Sequence, residues 1–234
     1  MDGTCPYNKV QENELMPYYV IMNDFESSLV PRNLQGMVDE KLQINENWKI
    51  QGSDYSFPYR IIDDTCPERL FLLCEKNVGS LKFDYYKKDY GHFLSETMFA
   101  VFLKFNCGSF FNRKITPVSI GDGHVLREDF RYVYFPGNGV LDEKKSQLEE
   151  DKFGDVIPLK IQFNDSASQY DILSFRETLL GGYIIVKDEV KEAIEAMGCK
   201  GMKFVALDNA LDVFSKDYFY DIESSRKKIH KKLP

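Results

Sequence analysis

The sequence predicts an α+β domain, a mixed or antiparallel sheet with a few amphipathic helices packed on it. Three observations predict it. Short runs rich in β-branched and aromatic residues recur along the chain, each of strand length. Two segments, 96–106 and 188–197, instead repeat apolar residues at three- and four-residue intervals, the period of a helix with one buried face. Finally, 43% of the 234 residues are apolar, with 18 Phe and 14 Tyr, which is ample material for one sizeable core.

The elements follow in order. Residues 1–15 are polar and aperiodic, and read as a flexible tail ahead of a single domain over 16–225. Residues 17–22 (P-Y-Y-V-I-M) read as a first strand. Residues 30–42 suggest a short helix, with Pro31 near its start and Leu34, Met37, Val38 and Leu42 at helical spacing. Residues 45–58 are turn-rich, and Ile61-Ile62 and 70–74 read as short buried segments on either side of a turn at Pro67. In 96–106, Met98, Val101, Phe102 and Phe105 form the stripe, Ser95 stands at the N-cap position, and Asn106 can end the helix in a left-handed conformation. In 188–197 the stripe is Val190, Ala193, Ile194 and Met197, after an acidic start and before Gly198. Residues 130–135, 157–163 and 170–175 are strand candidates, and 136–139 (P-G-N-G) supplies a turn.

An offset of 92 residues carries Glu96 onto Asp188, each stripe residue onto its counterpart, and Cys107 onto Cys199. Two readings stand: two related strand–helix–strand units from an old duplication, or two amphipathic helices that look alike because their ends obey the same rules.

Chemistry is harder to find. There is no G-x-S-x-G elbow, no phosphate-cradling glycine loop, no H-E-x-x-H and no calcium loop. Gly121-Asp122-Gly123-His124 reads as a plain turn. Only His92, His124 and His230 are present, and a Cys107/His92 nucleophilic pair is possible on paper only. No catalytic residue, metal site or cofactor is therefore expected. Five scattered cysteines without a C-x-x-C pair read as reduced thiols, and no secretory or membrane-spanning segment is visible, so a cytoplasmic protein is expected. The formal charge of −7 argues against direct binding to nucleic acid or an anionic membrane. A basic tail over 226–234 opposes the acidic body.

The most unusual stretch is 141–155, which holds Asp142, Glu143, Glu149, Glu150, Asp151 and Asp155. It reads either as a solvated connection or as an anionic patch that docks on a basic protein and speeds encounter. Those six residues are the candidate partner-binding set.

From about Phe71 onward the order of elements resembles a family of immunity proteins for bacterial polymorphic toxins, the Imm-eleven or myxobacterial-type immunity domain. The resemblance lies in Leu94-Ser95-Glu96 through Phe111 with Pro117-Val118-Ser119-Ile120, and more closely in Asp171-Ile172-Leu173-Ser174-Phe175-Arg176, the run 183–194, and Gly201-Met202-Lys203-Phe204. Lys187 departs from the Ser common at that place. The resemblance implies a non-enzymatic protein that binds and neutralises a cognate bacterial toxin domain by occlusion. The acidic body suits a basic partner, such as a nuclease or a nucleotide-using toxin. The alternative from another class is a small-molecule enzyme or ligand-binding domain with no recognisable motif.

Overall fold

Two sheets stand back to back around a pair of helices, and alternation along their strands decides what each face covers. The computed structural model describes residues 17–42, 44–45, 67–88 and 91–226. The expected tail over 1–15, the stretch 46–58, Ile61-Ile62 and residues 227–234 lie outside them. The chain runs through β1 (Tyr18–Asn23), β2 (Gly36–Asp39), β3 (Arg69–Cys74), β4 (Tyr85–Lys88) and β5 (Gly91–Ser95) to the first helix, α1 (Glu96–Phe102). Then come β6 (Phe111–Ser119), β7 (Phe130–Tyr134), β8 (Gln147–Glu150), β9 (Val156–Lys160), β10 (Ile172–Leu173) and β11 (Ile184–Lys187). Helix α2 (Asp188–Ala196), β12 (Met202–Ala206), α3 (Ala210–Tyr218) and α4 (Ile222–Ser225) complete it.

The larger sheet has the order β2-β3-β6-β7-β5-β4, the smaller β10-β11-β1-β12, and β8 pairs with β9 in a separate hairpin. All pairings are antiparallel except β3 with β6. The domain is α+β, as its apolar patterning requires. In β7, Val133 faces one side of the larger sheet, while Phe130, Tyr132 and Tyr134 face the other. In β11, Ile184 and Val186 face one way and Ile185 the other. The inward faces, through Leu94, Val133, Ile21, Ile184 and Val186, meet Met98, Phe102, Val190 and Ile194 of the two helices in one shared core.

The strand–helix–strand units carry the same topology. In β5–α1–β6 the two strands flanking the helix are parallel, with antiparallel β7 between them. In β11–α2–β12 antiparallel β1 takes that middle place. Each unit also has an antiparallel neighbour outside its first strand, β4 in one and β10 in the other.

A reciprocal contact ties the units together. Asp171, just before β10, donates its N–H to Asn106 O (2.8 Å) and accepts the Asn106 N–H on its carboxylate (3.0 Å). Asp84, just before β4, does the same to Lys200: its N–H donates to Lys200 O (2.7 Å) and its carboxylate accepts the Lys200 N–H (2.8 Å). Asn106 follows α1 and Lys200 follows α2, so each unit's aspartate holds the loop after the other unit's helix. The carbonyls of Asp84 and Asp171 accept from the N–H groups of Ser95 and Lys187, the residues that open the two helices.

Several expectations need correction. Residues 36–39 form strand β2, not part of a helix, because Met37 and Val38 pair with Leu73 and Leu72 of an available strand edge. A side chain at Gly36 would meet Cys74 Sγ and Leu72 at 3.1 Å, so the close pairing itself selects glycine. Helix α1 stops at Phe102, where Lys104 and Phe105 turn back onto Val101 O and Phe102 O, and Asn106 serves as a docking point without a left-handed backbone. Ser95 does cap it, accepting the Met98 N–H at 3.2 Å. Gly198 has φ +67° and ends α2 as expected, but Met197 is 51% exposed, beyond the stripe. The segment 141–155 is not only a connection, since it contains β8.

Candidate partner-binding surface

The acidic segment folds into the β8–β9 hairpin and its flanks, and the structure gives its six carboxylates different work. Asp151 is buried at the tip. One oxygen accepts the N–H groups of Phe153 (2.7 Å) and Asp155 (2.9 Å), and the other accepts the Tyr220 hydroxyl at 2.6 Å. That hydroxyl bond, helped by the backbone N–H groups, holds the carboxyl below the usual range. Glu149 is engaged by Arg226 in a fork of two bonds, 2.6 and 2.7 Å, which also lowers its carboxyl. Asp142 accepts the N–H groups of Lys144 and Lys145 and closes a turn. Glu143, Glu150 and Asp155 are exposed. Asp142, Glu149 and Asp151 thus shape the surface on which the exposed Glu143, Glu150 and Asp155 lie.

The hairpin tip rests on the end of the chain's described part. Asp151 bridges Arg226, and Lys152 donates its N–H to Ser225 O (2.9 Å) and its ammonium to Ser224 O (3.1 Å). Phe153 stands out from the tip, 74% exposed, under the Lys152 ammonium. Helix α4, whose N-terminus Asp221 caps by accepting the Ser224 N–H, adds Glu223 with a largely exposed side chain. Segments 142–155 and 207–226 together carry eleven acids against five cations. This corner concentrates the negative charge that the composition announced.

Helices α3 and α4 were not legible as such, although signals existed. Leu211, Phe214 and Tyr218 have helical spacing, and Asp221 with Ser224 is a capping pair. Helix α4 is only four residues long, and α3 runs into an aromatic stretch that also suits a strand.

Other sites of potential chemistry are occupied with structure. His92 is fully buried between the sheets, Nε2 2.9 Å from Gly182 O and Nδ1 3.1 Å from the Tyr85 hydroxyl. The carbonyl opposite Nε2 places a proton there, and the Tyr85 hydroxyl beside Nδ1 also donates to Ile21 O at 3.0 Å. Burial, then the charge of Lys87, pushes the imidazole well below its ordinary value. Cys107 donates to Phe102 O and Phe105 O, and burial raises its thiol to about 11. The two have separate partners. Asp122 accepts the His124 N–H in a turn at 121–124. Cys74, Cys107 and Cys199 are free thiols. Among the described residues, no group of three His, Cys, Asp or Glu could hold a metal ion, and no helix is long and apolar enough to cross a membrane. A cleft of about 290 Å³ opens beside α3, with Arg32, Lys87 and Lys88 among its lining residues.

Against this geometry the comparison with protein families is decisive. Residues 22–222, from the second half of β1 to the start of α4, match Immunity protein 43. The chain belongs to the Immunity protein 43 family. The match replaces the Imm-eleven resemblance with a different immunity family, while keeping the class; elements shared by α+β domains are too general to separate two such families. Membership in an immunity family connects the protein with a toxin partner and makes a binding surface, not a catalytic centre, the feature to seek. A search of curated proteins finds no match.

Proposed function

We propose that this Immunity protein 43 member binds a cognate bacterial toxin domain in the cytoplasm and neutralises it by occlusion, without chemistry of its own. The family match over 22–222 carries the reading. The acidic corner supports a basic toxin surface, of the kind that a nuclease or a nucleotide-using toxin presents to phosphates. Glu143, Glu150 and Asp155 steer encounter, and Asp142, Glu149 and Asp151 fix the hairpin that displays them. A stable complex of this type covers about 1,600 Å² in total, enough to close an active-site mouth.

Co-expression with a toxin domain, sought among the genes flanking this chain's own, tests the reading: the pair should co-purify, and the cells should survive. Replacing Glu143, Glu150 and Asp155 by Lys should slow association at low salt, with the difference shrinking as the Debye length falls from about 10 Å at 0.1 M to 3 Å at 1 M. Asp151 is left out of that set, because a lysine in its buried place would break the turn. Unchanged on-rates at low salt would move the toxin contact to another face.

A further inference from the structure

We propose that Phe219 is the anchor of the toxin complex, seating its ring in an apolar pocket of a toxin domain that presents a basic patch beside it. The inference rests on the immunity reading above and adds the residue that holds the complex. Phe219 has φ +55° and ψ +36°, and it is the one non-glycine residue with positive φ among those described. A bulky side chain is disfavoured there, since its Cβ crowds the carbonyl, and helices that end this way usually place glycine. The chain needs the left-handed turn: the N–H groups of Phe219 and Tyr220 both return to Ser215 O, and the reversal brings Tyr220 to Asp151. Glycine would serve that turn equally well.

Burial does not explain the phenylalanine, because 84% of it is exposed. It is nevertheless held in place. The Arg32 guanidinium lies 5.6 Å from the Phe219 ring and 5.4 Å from the Phe25 ring, and its Nη1 donates to Asp217 O at 3.1 Å. A ring ordered before binding loses little freedom when a partner covers it. Phe25 packs edge-on against Tyr218, itself 44% exposed, so aromatic surface continues around the anchor. Aromatic residues and arginine are the types enriched at protein interfaces. Charge selects the occupant. Asp221 and the exposed Glu223 follow the anchor directly, and Tyr220 links it to the hairpin of Glu150 and Asp155. That flank favours a basic protein face, and the cations nearest the ring and its helix, Arg32 and Lys216, are engaged with Asp217 O and Glu26.

The test is surface plasmon resonance against a catalytically inactivated form of the toxin domain that co-expression identifies as the partner, with melting temperatures measured in parallel. Phe219→Gly suits the left-handed turn and removes only the ring, so its melting temperature should hold or rise while Kd weakens at least about thirtyfold, chiefly through faster dissociation. Phe219→Tyr keeps the ring and should bind as wild type does. Leu103→Ser, removing another exposed apolar side chain, should change nothing. Wild-type binding by Phe219→Gly overturns the anchor and leaves the immunity reading standing. A melting temperature lowered by more than about 5 °C also overturns it, by showing that the ring is packing and not display. If folded wild-type protein fails to bind the toxin domain, the immunity reading falls and takes the anchor with it.

Discussion

The β5–α1–β6 unit and the β11–α2–β12 unit share strand order, helix position and a docking aspartate, yet they differ at almost every polar place. At the offset of 92, buried His92 becomes Ile184, and Ser95, which caps α1, becomes Lys187. Lys187 cannot cap; its ammonium instead pairs with Asp171 (3.0 Å) and donates to Ser168 O (3.2 Å). The middle strand follows its unit in one case (β7) and precedes it in the other (β1). Two helices that merely obey the same end rules would share the stripe, but not this strand order or the reciprocal aspartates. The difference teaches that apolar periodicity holds the architecture, while polar positions can change role as long as each buried polar group finds a partner.

That comparison can be broken most forcefully at the shared core. Phe102→Ala and Ile194→Ala should cost about 3–5 and 2–5 kcal/mol respectively, through lost burial and a cavity. Chemical denaturation should show one transition in each variant. Two separated transitions would mean that the units own separate cores.

The aspartate clasps come next. Asp84→Ala and Asp171→Ala each remove a charged acceptor from a backbone N–H, at about 1–3 kcal/mol apiece. The two share no partner, so the double variant should lose the sum to within about 0.5 kcal/mol. A larger coupling, read from a double-mutant cycle, would show that both clasps work as one joint.

His92 makes the units differ in pH response. Its folded imidazole resists protonation, whereas the unfolded one titrates near 6.5. Below that value the unfolded chain takes up a proton that the fold refuses, so stability should decline as pH falls beneath about 6.5 and be level above it. Melting temperatures between pH 5 and 8 check this, with His92→Gln expected to flatten the part of the slope that His92 supplies. Equal slopes in both proteins would place the sensitivity elsewhere.

The smallest difference is at the helix starts. Ser95→Ala should cost about 1 kcal/mol, because α1 loses its cap. Asp188→Ala should cost about 0.3–1 kcal/mol, because α2 loses first-turn charge and an exposed pairing with Lys191. If Asp188 proved the costlier, the first turn of α2 would depend on charge more than α1 depends on its cap.

Much was legible in the sequence, and the reasons are local. The stripes in 96–106 and 188–197 located both helices, the N-cap at Ser95 and the stop at Gly198, because periodicity and end chemistry act within a few residues. Strands β1, β3, β7, β9 and β10 were visible as runs of strand-forming residues. The acidic segment was equally visible as composition.

What only the tertiary structure decided concerns partners distant in the chain. Residues 36–39 became a strand because the edge of β3 was free to take them, an event to which helical spacing is blind. Asp151 left the exposed acidic set because Tyr220, 69 residues away, supplies the hydroxyl for its carboxylate. His92 and Cys107 parted because each found a carbonyl of its own. Phe219 looks like an ordinary core aromatic in sequence; the left-handed turn after α3 and the Arg32 stack turn it outward. Periodicity is written residue by residue, but burial and exposure are settled only when separate segments meet.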